Sequence, residues 1–245
     1  MTTLRHWLSS GPYTLAMSSG FFGFFAHAGV LSVLEAEGLL PTRAAGSSAG
    51  ALATGLWAAG VPSAVLVDEL TRLERADFWD PGLGAGLLQG RLFRSVIDRL
   101  LPVRTFAECR VPVVVSVYDV RSRRTRAIDS GELAPAIQAS CTVPFLFHPV
   151  RHEGRTLYDG GILDRPGLAG VPRTDRVFYH HLTSRLPRAV RALLGRGVPK
   201  RPRLVSFVVD ALPLSDPFHL DEGRRAIEVA ATATRRALDR PIEAG

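Results

Sequence analysis

The pentapeptide Gly46-Ser47-Ser48-Ala49-Gly50 restricts the fold of this 245-residue chain more than any other stretch of it. A G-x-S-x-G segment places its serine on a sharp strand-to-helix turn, because side chains larger than hydrogen at the flanking positions collide with the neighbouring strand and helix. The context suits that turn. The short, small, β-compatible Thr42-Arg43-Ala44-Ala45 precedes it, and Ala49 to Ala59 is predicted to be a helix ending at Gly60 before Pro62. At the N-terminus of such a helix, unpaired backbone N–H groups and the helix dipole favour an alkoxide on Ser48 and any oxyanion beside it. Ser48 is therefore a candidate nucleophile, although five residues of common types also occur in ordinary glycine-rich turns.

A second strand, Gly-loop, helix unit lies upstream. Tyr13 to Met17 is predicted to be a strand, Ser18-Ser19-Gly20-Phe21-Phe22-Gly23 a loop, and Phe24 to Gly38 a helix. A loop of this kind points successive N–H groups at a bound anion, and acyl transfer needs donors where a carbonyl oxygen turns negative. The backbone of Ser19, Gly20, Phe21 and Phe22 is the expected oxyanion hole. The chain lacks a G-x-G-x-x-G and a Gly-Lys-Ser/Thr ending, which weakens the rival reading of a nucleotide cradle. The phenylalanines of this loop suit either core packing or the wall of an acyl pocket.

The third element is an acid. Glu132 to Cys141 is expected to be a helix, Pro144 to Val150 an extended connection, and Arg155 to Tyr158 a strand delivering Asp159 into a turn with Gly160 and Gly161. A carboxylate becomes a useful base for a serine hydroxyl only within hydrogen-bond reach in a desolvated cleft, where its basicity rises. An Asp-Gly pair also makes ordinary turns between strands.

Taken in this order, the pieces resemble the patatin-like phospholipase family from about Tyr13 to Pro166. They are the Ser18 to Gly23 loop, Gly29-Val30-Leu31, Gly46 to Gly50, Ala139-Ser140 with Pro144 and Phe147, and Asp159-Gly160-Gly161-Ile162. The resemblance implies a three-layer α/β/α fold with a mainly parallel central sheet. It also implies Ser48 as nucleophile, Asp159 as the other catalytic side chain, and the Gly-rich loop as oxyanion hole. Most members begin that loop with three glycines and carry a basic residue two positions later. Here Ser18 and Ser19 precede Gly20, and Phe22 stands at the basic position. Gly20-Phe21-Phe22-Gly23 followed by His27 and Gly29 is similar to the branch that includes adipose triglyceride lipase, which leans the substrate toward neutral acyl esters. The resemblance implies an acyl-ester lipid as substrate, with neither cofactor nor metal ion. The spacings of the chain agree on the metal: it has no H-E-x-x-H and no paired-cysteine motif.

Composition is compatible with one domain of this kind spanning 1–245. No apolar run is long enough to cross a membrane, and the segment through Gly11 is too polar for a signal peptide, so an intracellular protein is expected. Cys109 and Cys141 are too few for a disulfide framework. The formal charge of +7 comes almost wholly from arginine, with Lys200 the only lysine. That pattern is read as compositional bias, and no nucleic-acid partner is expected. The Arg121 to Arg126 cluster is expected in a solvated hairpin turn. The run from Arg185 to Arg203, with a helix predicted over Arg188 to Leu194, could lie on an anionic membrane surface.

Past Pro166 strands are predicted over Arg176 to His180 and Leu204 to Val209, and a closing helix over Asp221 to Leu238 capped by Asp221. The Asp210 to His219 loop is a candidate cleft wall. His180, His181 or His219 would complete a Ser-Asp-His triad if the chain were an α/β-hydrolase, but a single strand-loop-helix unit before Ser48 argues against that fold. His27 is expected to pack in the first helix or to brace the loop, while His148 and His152 should face solvent. A fold relative that binds lipid or a protein without turnover is the remaining alternative. Acyl chain length, headgroup and oligomeric state are not encoded in these motifs.

Overall fold

The architecture follows from runs of apolar residues that alternate between the two faces of a sheet. In the computed structural model, which describes residues 2–183 and 197–242, five strands are parallel in the spatial order β10 (Leu204–Val208), β9 (Val177–His181), β1 (Thr14–Met17), β2 (Arg43–Ser47) and β4 (Val113–Asp119). The remaining strands of this sheet run antiparallel: β5 (Arg124–Ile128) and β8 (Arg155–Asp159) pair with β4, and β7 (Val150–His152) pairs with β8. Two short strands, β3 (Gly86–Leu88) and β6 (Phe145–Phe147), form a separate parallel pair.

Side chains two apart share a face. Leu15, Met17, Ala44, Val113, Val115, Val117 and Phe178 enter the main core. That core is completed by α1 (Leu4–Ser9), α2 (Phe24–Ala36), α3 (Ala49–Ala58), α4 (Ser63–Arg72), α5 (Arg91–Leu100), α6 (Leu133–Ser140) and α7 (Leu220–Leu238). Ala16, Ala45, Val114, Val177 and Tyr179 face the other way, against Leu168 and Val171. Strands buried on both faces explain why β1 and β4 read as continuous apolar runs.

Local signals set the helix ends. At the end of α2, Gly38 adopts φ 65°, Leu39 N–H donates to Leu34 O at 2.9 Å and Gly38 N–H to Glu35 O at 3.1 Å. This is the glycine-terminated double bond that satisfies the last carbonyls, and it stops α2 two residues before the predicted boundary. The closing helix begins at Leu220 with His219 at its cap. Asp221 lies inside its first turn, where its charge complements the dipole instead of capping an N–H. The basic hairpin forms as expected, with Asp119 opposite Arg124. The expected Arg188 to Leu194 helix lies outside the described residues.

Register on β4 positions the site. β2 pairs with β4 up to Ser47 opposite Ser116, and β8 pairs from Asp159 opposite Val117. β5 pairs with Val115 to Asp119 and so overlaps both β2 and β8 along β4. It therefore occupies the opposite edge of β4, while β2 and β8 follow one another along the same edge. The ends of two strands distant in sequence thus meet within one residue of each other.

Close packing of α2 on α7 offers a test. A Cβ on Gly29 would lie 2.3 Å from Ile227 O, a backbone atom that cannot swing aside. Alanine in a helix interior normally gains about 0.5–1 kcal/mol over glycine. Here overpacking should outweigh that gain, and Gly29→Ala should lose about 1–3 kcal/mol in urea unfolding. A stabilised variant would contradict the packing described.

Candidate active site

Ser48 occupies the turn between β2 and α3 at φ 52° and ψ −121°. A non-glycine residue held in such a region stores about 1–3 kcal/mol of backbone strain. Its neighbours must be glycine for steric reasons: a Cβ on Gly46 would fall 2.4 Å from the Gly50 carbonyl carbon, and one on Gly50 would fall 2.0 Å from Met17 O. The turn is tied down on both sides. Ser48 N–H donates to Ser140 Oγ at 2.8 Å, and Ser140 Oγ donates onward to Ser116 O at 2.7 Å. Ser48 O accepts from Leu52 N at 3.0 Å and from Cys141 Sγ at 3.2 Å.

Asp159 ends β8 with its N–H donating to Thr142 O at 2.9 Å. The end of α6 and the residues after it therefore hold the serine turn through Ser140 and the acid through Thr142. Asp159 Oδ2 accepts from Ser48 Oγ at 2.6 Å, and Oδ1 accepts from Gly161 N–H at 2.7 Å. The tight approach behind the acid excludes side chains, since a Cβ on Gly160 would lie 2.1 Å from Ser116 O and one on Gly161 2.2 Å from Ser19 Oγ. Both reacting side chains are nearly closed to solvent, Ser48 at 7% and Asp159 at 5% exposure. Burial pushes the Asp159 carboxyl up to about 6, against the Ser48 and Gly161 hydrogen bonds and the Arg165 charge, which pull it down.

The loop Ser18 to Gly23 forms the facing wall. Ser19 N–H is already committed, donating to Arg165 O at 2.8 Å. Among the described residues the N–H groups of Gly20, Phe21 and Phe22 have no partner, so the expected four donors become three. Phe22 takes a positive φ of 52°. Gly20, Phe21, Phe22 and Ser48 line one cavity whose remaining walls include Leu56, Leu66, Phe93, Ile97 and Phe147. A second cavity shares Gly20 to Phe22 and is walled by Arg165, Leu182 and Leu212 to Asp216. The Asp210 to His219 loop thus does line a cleft, and Ser215 Oγ donates to Phe22 O at 3.1 Å.

The histidines fall elsewhere. His180 is fully buried against His27, His181 Nδ1 pairs with Tyr179 OH at 2.9 Å, and His219 pairs with Asp216 on an exposed loop. Among the described residues none of the three hydrogen-bonds Ser48 or Asp159. His152 is buried instead of solvent-facing, because the alternation along β7 turns Arg151 outward and His152 inward. His148 is half-buried, its Nε2 at 3.0 Å from Gly86 O. Cys141 lines the first cavity, and burial holds its thiol well above the ordinary range, so it remains protonated. Among the described residues no group of His, Cys, Asp or Glu is arranged to hold a metal ion.

Motif reading missed one supporting pair. Ser116 Oγ donates to Asp164 Oδ2 at 2.6 Å, and Asp164 accepts from Leu168 and Ala169 N–H groups. This fixes the chain just after the acid. Only the register of β4 reveals it.

The buried acid makes stability depend on pH with a definite sign. The folded pKa of Asp159 lies above its ordinary 3.8, so its stabilising contribution is complete below that value and is lost as pH rises through about 6. The loss amounts to about 3 kcal/mol by neutral pH. The difference in unfolding free energy between Asp159→Asn and the wild type should therefore shift in favour of the variant between about pH 4 and pH 7. A difference independent of pH would contradict the burial argument.

The family model for patatin-like phospholipases matches residues 15–170. Two proteins described as uncharacterized NTE family proteins, one of Mycobacterium tuberculosis and one of Mycobacterium bovis, are each 33% identical over 167 residues. The match takes in 66% of this chain and 46% of theirs, so the chain spans about half the length of these relatives. VipD from Legionella pneumophila has a similar fold, with a TM-score of 0.68 over 93% of this chain and 66% of its own, at 15% identity. With the family model covering well over half of its length, the chain belongs to the patatin-like phospholipase family.

Proposed function

We propose that the chain is a serine lipid acyl hydrolase working through a Ser48-Asp159 dyad and an acyl-enzyme. One observation carries this reading: the 2.6 Å hydrogen bond from Ser48 Oγ to a buried carboxylate, with the same serine in the wall of a cavity whose other lining is almost wholly apolar. A carboxylate with its pKa raised to about 6 is mostly ionised at neutral pH, yet far more basic than an exposed aspartate.

In this mechanism Ser48 Oγ attacks the ester carbonyl while its proton passes to Asp159 Oδ2. The carbonyl oxygen becomes an oxyanion, stabilised by the free N–H groups of Gly20, Phe21 and Phe22 and by the N-terminus of α3. Collapse expels the alcohol, which takes the proton from Asp159. A water molecule, deprotonated by the same carboxylate, then releases the fatty acid and restores the serine. Gly161 N–H keeps Oδ1 occupied, so that Oδ2 is presented to the hydroxyl throughout.

The apolar cavity accepts the acyl chain, with Phe22, Phe93 and Phe147 among its walls. Peripheral contact with an anionic membrane surface belongs to the same reading. It is supported by the net charge of +7, by Phe21 and Leu214, exposed side chains in the walls of the two cavities, and by exposed Phe145 at the start of β6, beside the cavity-lining Leu146 and Phe147. No described helix is long and apolar enough to cross a membrane. The expected basic helix in the Arg185 to Arg203 run lies outside the described residues.

Two kinetic outcomes follow. Asp159→Asn should lower kcat on a fatty-acyl ester by at least about a thousandfold with the circular dichroism spectrum unchanged, since it removes the only proposed base. In the wild type, kcat/KM should rise with pH along a single acid limb centred near 6, where Asp159 loses its proton. Undiminished turnover by the variant, or a limb that survives it, would defeat the dyad.

A further inference from the structure

Ser18, the residue before the oxyanion loop, is bonded through all three of its polar groups. Its N–H donates to His180 O at 3.1 Å, its Oγ accepts from Leu182 N–H at 2.8 Å, and its carbonyl oxygen lies 2.8 Å from His27 Nε2. The first two ties run to β9 and the residue just beyond it. Only the third reaches across to α2. The far end of the loop returns to the same residue, because His27 N–H donates to Gly23 O at 3.2 Å.

The hydrogen positions follow from what each atom can do. A carbonyl oxygen only accepts, so His27 Nε2 must carry its proton. In a neutral ring Nδ1 is then an acceptor, and the 2.8 Å contact with His180 Nδ1 requires His180 to be the donor. That leaves His180 Nε2 as a bare lone pair, and among the described residues it is indeed a buried ring nitrogen without a partner. Both rings are completely buried, stand nearly perpendicular at 87°, and are held neutral because burial lowers their pKa values. The contact therefore works in one tautomeric arrangement. With the proton on His27 Nδ1 instead, two acceptors would face each other at Ser18.

We propose that His27 is a positioning residue for the oxyanion loop, its Nε2–H clamping Ser18 O while His180 locks the required tautomer. The inference rests on the reading of that loop as the oxyanion hole. It also gives a physical role to the departure from glycine at position 18, whose hydroxyl supplies an anchor to Leu182 that glycine lacks.

The test compares side chains of similar polarity and different reach. In His27→Gln the amide nitrogen overlays Nε2 and can still reach Ser18 O, whereas in His27→Asn it overlays Nδ1 and cannot. Because an oxyanion hole acts in the transition state, His27→Asn should lower kcat on a fatty-acyl ester at least about tenfold at similar KM. His27→Gln should stay within about threefold of the wild type. Hydrogen exchange read on a peptide spanning Ser18 to Gly23 should accelerate in His27→Asn and not in His27→Gln. Should both fail to fold, His180→Leu against His180→Asn repeats the comparison at the locking ring, where asparagine keeps a donor at the Nδ1 position. Equal kcat and equal loop exchange within a pair would overturn the proposal. Failure of the dyad reading would look different: the wild type itself would not turn over ester, while exchange would still report the clamp.

Discussion

The edge of β4 is the feature on which everything at the site depends. One edge of a strand cannot pair with two neighbours at the same place, so on this edge pairing with β2 ends at Ser116 and pairing with β8 begins at Val117. At that changeover the chain of β2 turns sharply into α3 and the chain of β8 turns into the Asp159-Gly160-Gly161 bend. Together they leave a serine hydroxyl and a carboxylate 2.6 Å apart and nearly closed to solvent.

Holding this arrangement is costly, and the surroundings show where the cost is offset. Ser48 sits in a strained backbone region, and Asp159 is a charge largely removed from water. Against these stand the Ser140 hydroxyl, which links Ser48 to β4, the Thr142 carbonyl, which accepts from the Asp159 N–H, and the Gly161 N–H on the carboxylate. Each net hydrogen bond contributes about 0.5–1.5 kcal/mol, and a charged acceptor contributes more. These bonds over-determine the geometry, so the strain is retained instead of relaxing.

The parts of the site legible in sequence are those governed by local rules. Gly46, Gly50 and Gly160 announce close approaches to backbone that leave no room for a Cβ, and Gly161 sits against the Ser19 side chain. The strands declare themselves by apolar runs, and the loop Ser18 to Gly23 by its place between a strand and a helix. What could not be read depends on register or on partners far away in the chain. The loss of the Ser19 donor to Arg165 O and the Ser116-Asp164 support arise from pairings across the fold. So do the burial of His152 and the contact of His27 with His180 across 153 positions. A histidine beside a turn gives no sign of which way it faces until β7 is seen to place it inward. The sequence offered three histidines that could have completed a triad; the sheet order carries His180 and His181 to β9, away from Asp159, and His219 lies on an exposed loop against Asp216.

The central claim is that Ser48 is an activated nucleophile rather than a well-bonded turn residue. The most direct measurement is reaction of the purified protein with a fluorophosphonate probe, with the modified residue located by peptide mass and Ser48→Ala as control. The account predicts a single adduct on the peptide bearing Ser48 and none in the variant. A correctly folded protein that remains unlabelled, or one labelled equally after Ser48→Ala, would contradict it.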